Sequence, residues 1–231
     1  MNSVLNEAVE RTLAEQDYFG ADGPVPAWAE YGHPKFTVVT GDNASGKSLL
    51  CRAVAEKLRD AHPKIEVIPV TMNGRSRAGI ERLAIWGDES RQSTGHLSVR
   101  AVLGGLRTCR ERSNDHVLVL DEPDIGLAES YSAALGAYLA VFVEDMPVRT
   151  RGVIVVTHSR PLVNGLMGVE PTSIRVGDDP RPLARWLREG PVPRSIEDIE
   201  ALAERSSATS SGINRVRNAR MEAKGPGGPR P

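Results

Sequence analysis

The chain of 231 residues carries 29 Lys and Arg against 30 Asp and Glu, a formal net charge of -1, with 40% hydrophobic residues. Its length and apolar content suffice for one main domain with a real core. The balanced charge excludes bulk electrostatic attraction to nucleic acid or membrane and leaves only local patches for either.

No apolar run approaches the roughly twenty residues needed to cross a bilayer. The opening Met1 to Glu10 has no basic region followed by an apolar one, so the expectation is a soluble, cytoplasmic protein with no membrane span. Cys51 and Cys109 lack metal-ligand spacing and are expected as reduced, buried thiols.

In chain order, Val4, Leu5, Ala8, Val9 and Leu13 recur at helical spacing, and Gly20, Gly23, Pro24 and Pro26 end that pattern. Tyr18, Phe19, Trp28 and Tyr31 either stack on an adenine ring or, the commoner role, pack a small N-terminal layer onto the core. Phe36 to Thr40 reads as a strand, and from Ser48 to Arg59 the positions Leu49, Leu50, Val54, Ala55 and Leu58 form one face of a helix. Ile65 to Val70 is β-branched and short, as expected of a second, buried strand. Thr71 to Gln92 is polar, rich in Arg and Gly, and reads as a short excursion from the sheet.

Leu97 to Arg112 has a helical pattern, His116 to Leu120 is a near-continuous apolar run suited to a strand covered on both faces, Ala128 to Val143 is a long helix, and Gly152 to Val156 is another buried strand. This alternation predicts an α/β domain with a largely parallel central sheet flanked by helices. Further on come a short helix at Leu162 to Met167, an edge strand at Ser173 to Val176, and helices at Pro182 to Arg188 and Ser195 to Arg205. From Ser206 the chain is serine-rich, then basic with Arg215, Arg217, Arg220 and Lys224, and is expected to be a disordered tail. The organisation expected is an N-terminal helix and linker over 1–35, an α/β core over 36–178, a helical extension over 179–205 and the tail over 206–231.

Three stretches carry chemistry. The first is Gly41-Asp42-Asn43-Ala44-Ser45-Gly46-Lys47-Ser48, followed by Leu49, which fits G-x-x-x-x-G-K-[ST] between a strand and a helix. Backbone N–H groups of such a loop face the phosphates of a nucleoside triphosphate, Lys47 reaches the β and γ oxygens, the Ser48 hydroxyl is a Mg²⁺ ligand, and the helix adds its positive dipole end. The second is Val117-Leu118-Val119-Leu120-Asp121-Glu122-Pro123, a buried strand ending in two carboxylates. Successive residues at a strand end point different ways, so Asp121 can hold Mg²⁺ while Glu122 orients or deprotonates the attacking water. The third is Val153-Ile154-Val155-Val156-Thr157-His158-Ser159, which brings an imidazole to the sheet edge where the phosphates belong.

Together these residues resemble the ATP-binding-cassette class of P-loop ATPases, in the broad sense that includes SMC, RecF-type and MutS proteins. Gly41 to Ser48 looks like the family's Walker A motif, Leu118 to Glu122 like Walker B with the catalytic glutamate, and His158 like the switch histidine. Ser93, Thr94, Gly95 and His96 stand where the family has its signature loop. The resemblance implies ATP and Mg²⁺ as cofactors, and a head-to-tail homodimer in which the signature loop of one copy caps the γ-phosphate held by the other. Asn73 is the nearest polar residue to the place of the family's glutamine, Ala128 stands where the family has an aspartate after Walker B, and the excursion is short. Those departures argue against transporter coupling and against long coiled-coil arms.

The resulting expectation is an ATPase that drives or gates a partner through an ATP-dependent dimer. The alternative is an ATP-gated switch, with little turnover, for an effector such as a nuclease, a toxin or a DNA-bound assembly. A nucleic-acid contact would fall on Arg75, Arg77, Arg82 and Arg91 or on the basic tail, although a solvated arginine face is the commoner arrangement.

Overall fold

The computed structural model describes residues 3–71 and 93–223. Asn73, Arg75, Arg77, Arg82, Arg91 and Lys224, and with them most of the expected excursion, lie outside the described residues.

The chain begins with α1 (Val4–Leu13), capped by the Ser3 side chain accepting from Asn6 N–H, and α2 (Gln16–Phe19). Then come β1 (Ala27–Glu30), β2 (His33–Gly41), α3 (Lys47–Ala61), β3 (Glu66–Thr71) and, beyond the undescribed segment, α4 (Thr94–Glu111) and β4 (His116–Asp121). The second half runs through α5 (Glu129–Glu144), β5 (Thr150–Thr157), α6 (Arg160–Leu166), β6 (Pro171–Val176), α7 (Leu183–Glu189), α8 (Ile196–Glu200) and α9 (Leu202–Ala223).

Alternation within the apolar strands decides what each face meets. Leu118 and Leu120 of β4, Val153 and Val155 of β5, and Phe36 and Val38 of β2 enter one buried cluster, closed by side chains of α4 to α7. Their neighbours Val117, Val119, Ile154, Val156 and Val39 enter a second cluster, closed by α1 and α3. Strands that are apolar on both sides need cover on both, which is why this sheet lies between two helical layers.

The sheet has six strands in the order β1-β6-β2-β5-β4-β3, all parallel except β1, which pairs antiparallel with β6. This is the expected α/β class, with the Gly41–Ser48 loop between β2 and α3. Because β5 is hydrogen-bonded to both β2 and β4, Val156 pairs with Val39 on one side and with Asp121 on the other. The carboxyl ends of β2, β4 and β5 therefore reach the same edge, and everything that follows them emerges there.

Three expectations fail for identifiable reasons. Ser173 to Val176 is not an edge strand: β6 is buried at every residue and pairs on both sides, with β1 and β2. The edge belongs to β1, a four-residue strand just after Pro26 that is too short to announce itself by alternation. Nor is β3 a buried strand, since it pairs only with β4 among the described residues and its Glu66 and Thr71 are exposed.

The third failure concerns the chain beyond Ser206, expected to be disordered but helical through Ala223. Its helix buries no residue of its own, so no amphipathic stripe betrays it. It is held by docking: Gly212 lies against Pro24, where an added Cβ would come within 2.7 Å, and Arg220 donates to Glu15 and Asp17 while standing 4.5 Å over the Tyr18 ring.

Behind the sheet, α5 and α6 meet backbone to backbone. A Cβ on Gly136 would fall 2.2 Å from the Leu162 carbonyl, and one on Gly165 2.6 Å from the Ala133 carbonyl. Both helices thus require glycine at the crossing, and the start of α6, two residues after His158, is fixed by it.

Candidate functional site

The loop between β2 and α3 is shaped by backbone that only certain residues tolerate. Gly46 has φ 97°, and a Cβ there would strike the Val25 side chain at 2.6 Å. A Cβ on Gly41 would sit 2.3 Å from the Val176 carbonyl, so the loop leaves the sheet in direct contact with β6. Ala44 takes φ 61°, a left-handed turn that aims the loop back toward α3.

Lys47 is buried and folds back into this loop, its Nζ donating to the carbonyls of Gly41 and Asp42 at 2.9 Å each. Burial lowers its pKa, opposed by the nearby negative charges of Glu122, Asp42 and Asp121. The Ser45 Oγ is buried with no hydrogen-bond partner among the described residues. A desolvated ammonium and an orphaned hydroxyl in one loop are the features an incoming phosphate would satisfy.

A cavity of about 260 Å³ opens above the loop. Asn43, Ala44, Ser45, Gly46, Lys47, Ser48 and Leu49 line it, together with Arg52 and with Asp121 and Glu122 from the end of β4. The two strongest sequence motifs therefore share one cavity, although they lie on strands separated by β5.

The two carboxylates differ in environment. Burial raises the Asp121 pKa and the neighbouring Glu122 charge raises it further, against the pull of Lys47 and a hydrogen bond with Thr71. For Glu122 the largest influence is its hydrogen bond with His158, which holds its carboxyl below the usual range; that same bond raises the His158 imidazole. His158 Nδ1 lies 3.4 Å from Glu122 Oε1, with the imidazole about half exposed.

Glu122 itself is in the left-handed region at φ 51°, uncommon for a residue with a long side chain. Its N–H donates to the Val156 carbonyl at 2.8 Å, so the turn begins while still tied to β5. The Thr157 hydroxyl donates to Asp124 Oδ1 and accepts from the Ser159 N–H, stitching the ends of β4 and β5 together around the Glu122–His158 pair.

The donor set bears on whether a divalent cation fits. Among the described residues no group of three His, Cys, Asp or Glu side chains could hold a metal ion. Ser48 and Asp121 instead offer two oxygens in one cavity, and a carboxylate crowded by Glu122 is relieved by a cation. That suits Mg²⁺, which keeps most of its shell as water and substrate phosphate and takes only one or two protein ligands.

Ser93, Thr94, Gly95 and His96 lie elsewhere in the chain. Ser93 caps α4 by accepting from His96 N–H, and Gly95 is pressed onto the turn after Glu122, where a Cβ would meet the Gly126 carbonyl at 2.6 Å. Ser98, one turn into α4, donates to the carbonyls of both Thr94 and Ile125. None of the four signature-like residues is among those lining the cavity of their own chain.

The aromatic candidates separate too. Phe19 is in the core, Tyr18 carries Arg220 on its ring, Tyr31 is exposed, and none of these or Trp28 lines the cavity.

Several residues in or beside the site carry no motif in the sequence. Arg175 is buried in β6 beside the loop, donates to the Thr40 hydroxyl and to Asp179, and stacks 4.7 Å from the Trp186 ring, whose other neighbour is Arg160 at 4.2 Å. Arg194 pairs with Asp42. Ser206, Thr209, Ser210 and Ile213 of α9 line the cavity. For the α9 set a signal exists in the sequence, since steps of three, four and seven residues place all four on one helical face.

No protein-family model matches the chain, and no curated protein matches it. Among solved structures it is similar to Cdc6p from Pyrobaculum aerophilum, at 17% identity, with a TM-score of 0.38, over 73% of this chain and 43% of that one. The chain thus spans less than half the length of that protein.

Proposed function

We propose that the chain is a Mg²⁺-dependent ATPase. The observation that carries the reading is the single cavity shared by Asn43–Leu49, Asp121 and Glu122, with Glu122 paired to His158. In this reading the loop amides, Ser45 and Lys47 hold the phosphates; Lys47 exchanges the Gly41 and Asp42 carbonyls for phosphate oxygens as substrate enters. Ser48 and Asp121 hold the Mg²⁺, which when bound neutralises charge on the transferring phosphate.

Glu122 accepts the proton of the attacking water as its oxygen bonds to the γ-phosphorus, and the bridging oxygen leaves with ADP. His158 holds the Glu122 carboxylate in place and, its imidazole made more basic by that pairing, faces the departing phosphate. Ser93–His96 do not line the cavity of their own chain, and in this reading they supply a cap to a second copy in an ATP-dependent dimer. Gating of an effector protein would follow from the opening and closing of that dimer.

The test is Glu122→Gln. It should bind ATP, lose turnover by about 10²–10⁴-fold, and shift toward a dimer in light scattering when ATP is present. Hydrolysis at the wild-type rate would remove Glu122 from the mechanism; a monomer under saturating ATP would remove the dimer while leaving the ATPase.

A further inference from the structure

Helix α9 stands over the cavity with a face of unusual character. Ser206, Thr209, Ser210 and Ile213 line it, and the Thr209 hydroxyl is 3.5 Å from the Ala44 carbonyl in the phosphate loop. Three of the four side chains end in hydroxyls, and all three are small. A helix docked only to cover the loop would fill the gap with apolar side chains; here the gap stays open and three hydroxyls line it, of which Thr209 donates to the Ala44 carbonyl and Ser210 to the Ser206 carbonyl, leaving oxygen lone pairs to accept.

Several of the contacts that hold the helix lie away from the cavity. Arg220 donates to Glu15 and Asp17 and lies over Tyr18, and Gly212 permits close approach to Pro24. Ile213 is partly buried against the cluster between the sheet and α1 and α3. The helix is thus anchored along its length, by Arg205 to Asp198 near its start, by Ile213 at the cavity and by Arg220 near its end, and presents Ser206, Thr209 and Ser210 to the space above the loop.

We propose that α9 is a wall of the nucleotide site, with the Ser206, Thr209 and Ser210 hydroxyls hydrogen-bonding the ribose hydroxyls and phosphate oxygens of a bound nucleoside triphosphate, Thr209 and Ser210 either accepting from the ribose or giving up their bonds to the Ala44 and Ser206 carbonyls, and Ile213 packing on the sugar. This assignment rests on Gly41–Ser48 being the phosphate site. Because α9 fully buries no residue of its own, a ligand touching both loop and helix adds to its docking. Nucleotide and helix stabilise one another, so nucleotide should slow hydrogen exchange across Leu202–Ala223.

The test is calorimetric titration of the full chain with a slowly hydrolysed ATP analogue and Mg²⁺, for wild type, Lys47→Ala, Ser206→Ala with Ser210→Ala, and Arg220→Glu. Wild type should bind and Lys47→Ala should not; if wild type fails to bind, or Lys47→Ala binds equally, the phosphate site itself is wrong and the wall falls with it. Given binding, the double alanine variant should lose about five-fold in affinity for each hydroxyl contact removed, and Arg220→Glu, which touches no cavity residue, should lose about ten-fold or more through undocking. Alanine keeps the helix, so the double variant decides the matter even if Arg220→Glu folds poorly. Unchanged affinity in the double variant overturns the proposal. Tighter binding also overturns it and makes α9 a plug.

Discussion

Glu122 offers a test in which the sign of an effect, rather than its size, is diagnostic. Its φ of 51° places a long side chain in the left-handed region. Substituting Ala or Gly removes the same carboxylate and the same contact with His158, an interaction across 3.4 Å with an imidazole that is 54% exposed. The two variants therefore differ only in backbone preference. Alanine retains a left-handed cost of roughly 1–2 kcal/mol, whereas glycine escapes it and forfeits about 0.5–1 kcal/mol to the freer unfolded chain.

Glu122→Gly should consequently be more stable than Glu122→Ala by about 0.5–1 kcal/mol, or roughly 1–4 °C in Tm for a chain of this size. At an ordinary helical position the order is the reverse, with Gly lower by about 1 kcal/mol. Urea titrations of both variants, compared at equal m-value, measure the difference. If the alanine variant is the more stable, the backbone at Glu122 is not strained and the idea of a carboxylate held in place at a conformational cost fails. Both variants should be without ATPase activity, which separates stability from turnover.

Other outcomes follow from the same geometry. Ser98→Ala removes the hydroxyl bonded to the Thr94 and Ile125 carbonyls and should cost about 1–2 kcal/mol in denaturant titrations. Cys51 and Cys109 are buried with thiols pushed up to about 12 and about 11, so both should resist a thiol reagent at pH 8 and react only after unfolding. Asp179 is held at about 2, chiefly by its hydrogen bond from Arg181, so its stabilisation is present above the ordinary value of 3.8 and lost as pH falls toward 2. With its side chain 34% exposed, Asp179→Asn should cost only about 1 kcal/mol at pH 7, and thermal melts should show the two proteins converging as pH falls below 4.

What the sequence made legible was chemistry that demands a fixed spacing. The loop with Gly46 and Lys47, and the Asp121–Glu122 pair, which the fold brings to one cavity, stand out in the sequence because their pattern is defined by neighbours one to five positions away. The partition of β4 and β5 between two helical layers was readable in their unbroken apolar runs. Contacts set by docking were not readable. The sequence of β6 resembles a short edge strand because the partner that buries its outer side, β1, is only four residues long. Arg175 looks like a surface residue until Thr40, Asp179 and Trp186 are seen around it. The serine-rich composition of α9 points to disorder because its order derives from Glu15, Asp17, Tyr18 and Pro24, nearly two hundred positions away.

The glycine crossing between α5 and α6 makes the position of His158 a property of main chain. Gly136 and Gly165 admit no side chain, so the two helices have no cushion of rotamers through which to slide or settle. Any displacement of α5 is passed to the start of α6, two residues from the imidazole, with little loss. The outer surface of α5, where Tyr131, Tyr138 and Val141 are exposed, is for that reason mechanically close to the Glu122–His158 pair even though none of its residues lines the cavity.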